Sequence, residues 1–482
     1  MTEGGDVFVE KYRIVVLGGG AAGIVAAMGA ASMGLKVALV EKDRIGGECS
    51  WGGCVPSKAL LAAAKEVHRI RHAVKWGITL EAAPDLQGVL AKVRELTQRT
   101  ADRSQTVKTL QNAGVELYSG SPRFVTEHEI DVDGRRVFGD DIVIATGSSP
   151  VVPQGIGLDG VPYWTNRTIF DLKTIPESLG IIGGGPIGIE MAQAFARLGT
   201  QVTLFHPGAH ILPKDDPELA DQLEGILHQE GVRFLLSHRV KQVEKIGDQV
   251  RITAVDTAGN NSFVLVGSLL VAAGRQANVE GLGLESVGVA YTAKAIRVDE
   301  YLRTTVPHIW ASGDCNGLHQ FSHIAEVQSR AILQNILLPV ARTPEYAGVP
   351  WATFTDPELA HLGLTEAQAD AQGLKYRVYR QPFSLVDRAI VEQEDSGLIK
   401  LIATPGGKIL GAHILGSGAA DLLNEIVVAK NCGDGLGTLS SLPHVYPSWG
   451  YGIQRATDHW LIDVSKRWYA QFALKVLKRI VE

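Results

Sequence analysis

Arg13-Ile14-Val15-Val16-Leu17-Gly18-Gly19-Gly20-Ala21-Ala22-Gly23 decides the fold of this chain. Arg13 to Leu17 reads as a buried strand of a parallel sheet, its hydrophobicity running on without alternation. The glycines then open an alanine-rich helix through Ser32. Gly18 suits a tight turn, Gly20 leaves bare backbone for a pyrophosphate at the helix N-terminus, and Gly23 permits close contact between helix and sheet. Such a pattern is weak alone. It gains weight because Lys36-Val37-Ala38-Leu39-Val40 forms the next strand and ends in Glu41, placed to hold the hydroxyl pair of an adenosine ribose.

The pattern recurs downstream. Leu179 to Ile182 reads as a strand, Gly183, Gly185 and Gly188 repeat the glycine spacing, a helix runs through Leu198, and a strand spans Gln201 to Phe205. A second dinucleotide therefore has its own site. This strand ends in His206 instead of an acid, so the carboxylate that favours a free ribose 2′-hydroxyl is missing. That tilts the reading toward NADPH over NADH, with His206, His210 or Lys214 facing a 2′-phosphate; the alternative is that His206 is a surface residue and cofactor choice is loose.

Between the two turns lies Gly46-Gly47-Glu48-Cys49-Ser50-Trp51-Gly52-Gly53-Cys54-Val55-Pro56-Ser57-Lys58. Cys49 and Cys54 can close a small disulfide ring, because Gly52 and Gly53 let the chain turn and Pro56 suits the first turn of a helix. Helix amides near Cys54 would stabilise a thiolate. A metal pair or two structural thiols are the alternatives, but no second Cys or His cluster completes a metal set, so no metal site is expected. A redox-active disulfide working beside a flavin is the reading that uses the neighbouring dinucleotide turn.

With 482 residues the chain exceeds one core, and the soft prior suggests about three domains. Net charge is −6 with few aromatics, which argues against a nucleic-acid partner. Four cysteines exclude a disulfide scaffold. Met1 to Lys11 is polar and acidic and lacks an apolar signal core, and no bilayer-length window is free of charges, so a cytoplasmic enzyme is expected.

The order of dinucleotide turn, cysteine pair and second turn resembles the pyridine nucleotide-disulfide oxidoreductases, the family of glutathione reductase, dihydrolipoamide dehydrogenase and mercuric reductase. The resemblance extends to Ile142-Val143-Ile144-Ala145-Thr146-Gly147, Leu270-Val271-Ala272-Ala273-Gly274-Arg275 and Ile309-Trp310-Ala311-Ser312-Gly313-Asp314. It implies an α/β fold with two Rossmann-like dinucleotide-binding domains and a C-terminal α/β dimerisation domain. The FAD domain would comprise residues 1–150 and 276–345, the NAD(P)H domain 151–275, and the dimerisation domain 346–457, followed by an extension, 458–482. The resemblance further implies that Thr146, Gly147, Gly313 and Asp314 serve FAD, and that Gly274 and Arg275 serve NAD(P)H.

It also implies the path of electrons, from nicotinamide through flavin to the disulfide. By residue match Cys54 is the flavin-side sulfur and Cys49 the exposed one that exchanges with substrate. Lys58, one helical turn past Cys54, and Glu190, seven residues after Gly183, match an ion pair near the flavin. Cys315 and Cys432 read as structural residues.

The chain departs from its relatives near the C-terminus. Glutathione reductase and dihydrolipoamide dehydrogenase carry a His-Pro followed by a Glu, both reaching the partner subunit's disulfide; Tyr446 and Tyr451 stand in those places here. A phenol, with an ordinary pKa of about 10, is a poor base and a usable acid, which favours reduction of a disulfide over oxidation of a dithiol. His444 can serve if the segment bends, or support it. Tyrosine before Pro447 and the run Gly53-Cys54-Val55-Pro56-Ser57-Lys58 resemble the mercuric-reductase-like branch, yet the additional C-terminal cysteine pair of those enzymes is absent.

The expected protein is thus a homodimeric FAD-dependent NAD(P)H:disulfide oxidoreductase. Metal-ion reduction or diaphorase activity is the alternative within the enzyme class, and a flavin-bound redox sensor or binding protein is the alternative outside it. In the tail, Trp460, Leu461, Val464, Trp468, Phe472, Val476 and Ile480 recur near helical spacing among Lys466, Arg467, Lys475, Lys478 and Arg479. Packing of this stripe on its own domain is the expectation; a membrane-surface or partner contact is the alternative.

Overall fold

In the computed structural model, which describes residues 9–104, 107–346 and 348–481, Glu10–Leu17 is an inner strand of a mixed sheet. The acidic N-terminal residues 1–8 lie outside the described residues. Val37–Glu41 and Arg135–Ile144 flank the strand in parallel, with Val16 opposite Leu39 on one side and Val143 on the other. Val115–Ser119 extends the sheet beyond Val37–Glu41, and the antiparallel strands Glu129–Val132 and Pro122–Phe124 extend it beyond Arg135–Ile144. A late strand, Ile309–Ala311, also pairs with Arg135–Ile144, in parallel.

Ile14, Val15, Val16 and Leu17 are all fully buried, because both faces of the sheet are covered. On one face Ile14 and Val16 pack against Ala26, Ala27 and Ala30 of helix Ala21–Ser32 and against Ile332 of helix Ser322–Leu337. Alanine at these positions lets the first helix lie close on the sheet. The other face buries Val15, Leu17, Ile142, Ile144 and Cys315. The Cys315 thiol is pushed up to about 12, first by burial and then by the charge of Asp314, which fits its reading as a structural residue.

Compactness divides the chain into residues 1–177, 242–251 and 265–345 on one hand, and 178–241, 252–264 and 346–482 on the other. The second unit holds the parallel strands Ser178–Ile182, Gln201–Phe205 and Arg233–Leu235 with helices Pro186–Arg197 and Pro217–Gln229. It also holds a five-stranded antiparallel sheet in the order Pro350–Thr353, Glu358–Gly363, Ile409–Gly416, Leu398–Ala403 and Arg377–Pro382. Ala412 and Ile414 of that sheet share a core with Ile426 of helix Ala419–Asn431 and Ile453 of helix Tyr451–Ser465.

A row of polar side chains crosses this sheet, Trp351 opposite His361, His361 opposite His413, and His413 opposite Lys400. The Lys400 side chain is only 2% exposed, and its ammonium lies 2.8 Å from Asp216, 2.8 Å from Glu218 and 2.7 Å from Glu366. A buried cation persists only when paired in this way. Cys432 caps helix Ala419–Asn431 and is exposed. Among the described residues, no helix is long and apolar enough to cross a membrane.

Candidate redox site and its nucleotide turns

The first glycine turn is shaped by close approach. Gly18 has a φ of +113°, and a Cβ there would fall 2.3 Å from the Ala145 carbonyl oxygen; a Cβ at Gly23 would fall 1.8 Å from the Gly18 oxygen. Gly20 starts helix Ala21–Ser32 and offers no side chain to its amides. Glu41 accepts a 2.6 Å hydrogen bond from the Gly19 amide and a 2.7 Å bond from the Asp43 amide. Beside it opens a cleft of about 630 Å³ lined by Glu41, Arg44, Trp51, Asp102, Lys108 and Tyr118. An uncapped helix start beside an acid and an aromatic-lined cleft fits the pyrophosphate and adenosine of a bound dinucleotide.

The remaining expected FAD residues converge on the same unit. Thr146 donates its hydroxyl to the Asn278 carbonyl at 2.7 Å. Asp314, at the short turn Gly313–Asn316, accepts from the Ser148 hydroxyl and lies 3.5 Å from the Arg275 guanidinium.

The cysteine segment is tied directly to this turn. The Gly46 amide donates to the Gly19 carbonyl at 2.8 Å, and Gly47 runs so close to Gly20 that a Cβ would meet its Cα at 2.7 Å. Cys49 follows within the short helix Gly47–Trp51, and Cys54 begins helix Cys54–Arg71, which also carries Lys58. Both cysteines are thiols. The hydrogen bond with Cys54, and then burial, hold the Cys49 thiol far above its ordinary range. Cys54 lies 3.8 Å from the Ser322 hydroxyl and occupies the helix start, where free amides favour an anion.

The order of exposure differs from expectation. Cys54 is exposed and Cys49 half-buried, because Cys49 sits within a helical turn held under Cys54 while Cys54 stands at a helix tip.

Glu48, which the sequence reading passed over, is the best-anchored side chain beside the cysteines. Arg275 grips its carboxylate with Nη1 at 2.7 Å and Nη2 at 2.8 Å. Asn166 also donates to it, and Arg167 lies 3.3 Å away. Burial opposes the charge on Glu48, but the hydrogen bonds and charge of Arg275 prevail and hold the carboxyl below its usual range. Arg275 was expected to serve NAD(P)H. Its strand Arg275–Ala277 pairs antiparallel with Ser148–Pro150, which lays the guanidinium over Ser148, 2.8 Å from its hydroxyl, and onto Glu48. The signal in the sequence was an acid directly before Cys49, since a buried carboxylate calls for a cation.

The second turn repeats the first. Gly183 has a φ of +123°, a Cβ at Gly188 would fall 1.9 Å from the Gly183 oxygen, and Gly185 begins helix Pro186–Arg197 without a side-chain cap. His206 does here what Glu41 does at the first turn, its Nδ1 accepting from the Gly184 amide at 3.2 Å. Burial lowers its pKa, so the ring is neutral at pH 7 and faces the glycines instead of standing ready as a cation for a phosphate. His210 is paired with Asp221 at 2.6 Å, and Lys214 is exposed.

Glu190 is buried on this helix, where its Oε1 accepts from the Phe354 amide at 2.9 Å. Gln193 accepts from the Asp356 amide at 2.8 Å, and Arg197 pairs with Asp356 at 2.7 Å and with Glu230 at 2.6 Å. Positions 190, 193 and 197 share one helix face and together hold residues 354–356.

At the C-terminal segment, the Tyr446 hydroxyl donates to Asp387 at 2.8 Å, and its ring meets Tyr451 edge-on at 5.4 Å. The hydrogen bond to the Asp387 carboxylate raises the phenol's pKa, which suits an acid and disqualifies a base. Tyr446 is 62% exposed in this chain. His444 is held by Glu425 at 2.8 Å and by the Leu442 carbonyl at 3.0 Å, a supporting arrangement within its own chain. Among the described residues no group of three or more His, Cys, Asp or Glu side chains converges to hold a metal ion.

Comparison with known proteins bears on the whole arrangement. Residues 12–332 match the family described as pyridine nucleotide-disulphide oxidoreductase, and residues 349–456 match that family's dimerisation domain. A mercuric reductase of Streptomyces lividans is 35% identical over 464 residues, covering 94% of this chain and 97% of its own. A dihydrolipoyl dehydrogenase of Chlamydia trachomatis is 33% identical over 427 residues, covering 87% and 90%. Among solved structures, the Cu(II) complex of the HOCl-induced flavoprotein disulfide reductase RclA from Escherichia coli superposes with a TM-score of 0.84 at 27% identity, over 94% of this chain and all of that one. Both nucleotide turns, the cysteine pair and the C-terminal sheet fall within these matches, and the chain belongs to the pyridine nucleotide-disulphide oxidoreductase family.

Proposed function

We propose that this chain reduces a disulfide substrate through Cys49 and Cys54 at the expense of NADPH. The observation that carries the reading is the tie between the cysteine segment and the first glycine turn, the Gly46 amide donating to the Gly19 carbonyl. FAD, when bound at the first turn, supplies hydride acceptance from the nicotinamide and delivery of two electrons to a disulfide.

The residues divide the remaining work. Residues 1–150 and 276–345 would hold FAD, with Glu41 on its ribose and Asp314 toward its chain; residues 151–275 would take the nicotinamide nucleotide at Gly183, Gly185 and Gly188. Lys58, one turn past Cys54 on helix Cys54–Arg71, would supply charge near the flavin. Two electrons and two protons open the Cys49–Cys54 disulfide to the dithiol. Cys49, its proton passed to solvent, attacks one sulfur of the substrate, forming a mixed disulfide and releasing one thiolate, which takes a proton from Tyr446 of the partner subunit, and solvent restores the phenol. Cys54 gives up its proton and attacks the Cys49 sulfur, the second thiolate leaves and takes up a proton, and the disulfide closes again. A homodimer built on the 346–457 domain is part of this reading. So is a cytoplasmic workplace, where a nicotinamide pool can regenerate the dithiol.

NADPH is preferred in this proposal because no carboxylate ends the strand Gln201–Phe205, which leaves room for a 2′-phosphate beside exposed Lys214. Metal-ion reduction is the second reading, favoured by the likeness to mercuric reductases and to a copper-bound relative. The only cysteines are Cys49, Cys54, Cys315 and Cys432, so an ion would have to reach the inner pair directly. Anaerobic stopped-flow mixing with NADPH and with NADH tests the proposal. Rapid flavin bleaching followed by a long-wavelength thiolate-to-flavin band supports it; bleaching with no band, and full disulfide turnover by Cys49→Ser, would overturn it.

A further inference from the structure

The tail does not pack as its hydrophobic spacing suggested. Helix Tyr451–Ser465 docks on the sheet through Ile453 and Ala456, but Trp468, Phe472, Val476 and Leu477 of the following helix, Trp468–Val481, face solvent. Trp468 is 80% exposed, Phe472 64%, Leu477 57% and Val476 41%, and Leu461 and Ile462 of the preceding helix are about half exposed. The side chains of Lys478, Arg479 and Ile480 lie outside the described ones; their positions follow from helical register.

At 3.6 residues per turn, Gln471, Lys475, Lys478 and Arg479 fall by register on one side of this helix, with Trp468 of its first turn beside them, and Phe472, Val476 and Leu477 lie around the rest. No acid occurs from Val464 to Val481, although the whole chain carries a net charge of −6. Arg467 is engaged with Asp463 and the Pro405 carbonyl, which anchors the start of the helix. The match to the family's dimerisation domain ends at residue 456, before this helix begins.

We propose that helix Trp468–Val481 docks the enzyme on an anionic lipid surface, its apolar side entering the acyl boundary and its basic side meeting headgroup phosphates. A wide apolar arc opposite a strip whose only charges are basic, with a tryptophan beside those charges, is the pattern of an interfacial helix. Apolar pairing with a second copy would leave this basic strip facing solvent without a complement, whereas a negatively charged surface complements it while the apolar side is buried.

The test uses the full-length flavin-loaded protein and co-sedimentation with vesicles. It should pellet with vesicles of equal phosphatidylcholine and phosphatidylglycerol at low salt, remain in solution with phosphatidylcholine alone, and be released by high salt. Trp468→Ala/Phe472→Ala should abolish pelleting. Lys475→Glu/Lys478→Glu should weaken it on the order of tenfold or more. Both variants should keep wild-type flavin content and nicotinamide oxidation, and a chain ending at Ser465 should stay in solution. Equal pelleting of wild type and variants, or none by wild type, overturns the proposal. So does a fall in solution mass on Trp468→Ala/Phe472→Ala, which would assign the face to a second copy.

Discussion

Arg275 and Glu48 meet fork to fork, 2.7 and 2.8 Å apart, one residue from Cys49. Removing one partner strands the other as a partly buried charge, at a cost of several kcal/mol. Glu48→Gln should therefore lower the unfolding midpoint in urea at pH 7, and Arg275→Lys should not restore it, because an ammonium cannot reproduce the fork. The sign with pH follows from the lowered Glu48 pKa. Its contribution is present above the unfolded-state value of about 4.3 and is lost as pH falls through the folded-state value, so the wild type should lose more stability on acidification than Glu48→Gln. Equal slopes would refute this.

Cys49→Ser should reduce disulfide turnover on the order of 10³-fold or more while leaving flavin reduction by nicotinamide intact. Cys54→Ser should lose the long-wavelength band as well. Because the Cys49 thiol is held above its ordinary range, alkylation of the reduced enzyme at Cys49 should keep accelerating with pH beyond about 8.5, where a free thiol is half ionised. Peptide mapping after iodoacetamide labelling at several pH values measures this.

Tyr446→Phe should lower reductive turnover about a hundredfold, the lower range of general acid catalysis. The Asp387 carboxylate raises the phenol's pKa, so the acid form persists to higher pH than in a free tyrosine. The wild-type pH profile should fall only well above pH 10, and Asp387→Asn should bring that limb down. An unchanged profile in both variants would remove Tyr446 from proton transfer.

His206→Glu restores a carboxylate where Glu41 stands at the first turn. It should shift the ratio of kcat/KM for NADPH over NADH about tenfold toward NADH, roughly the worth of one charged hydrogen bond. Steady-state kinetics with both nucleotides decides the point, and a ratio that does not move would mean His206 serves only the glycine turn.

Much of this site is legible in the sequence because it rests on local constraint. Gly18 and Gly23 meet each other and Ala145 so closely that no other residue fits, and the cysteines lie within one short segment. The clamp on Glu48 is not local: Arg275 reaches it across 227 positions, through strand pairing of Arg275–Ala277 on Ser148–Pro150. Likewise, His206 looks like a candidate phosphate ligand until its ring is seen turned onto the Gly184 amide. The tail's apolar spacing reads equally well as packing or as exposure, since periodicity reports a helix face and not what covers it. The relative exposure of Cys49 and Cys54 depends on Cys49 lying inside one helical turn and Cys54 at the start of the next helix, a fact outside any motif.

Strand Ile309–Ala311 lies against Arg135–Ile144, with Ile309 opposite Ile142, yet it leaves the ribosome on the order of 170 residues later. At about 5–20 residues per second the nascent chain waits about ten to thirty seconds with that edge unpaired. Chaperone capture of the growing polypeptide should concentrate in this interval, and a stop codon placed before Ile309 should yield an aggregating fragment instead of a folded first half.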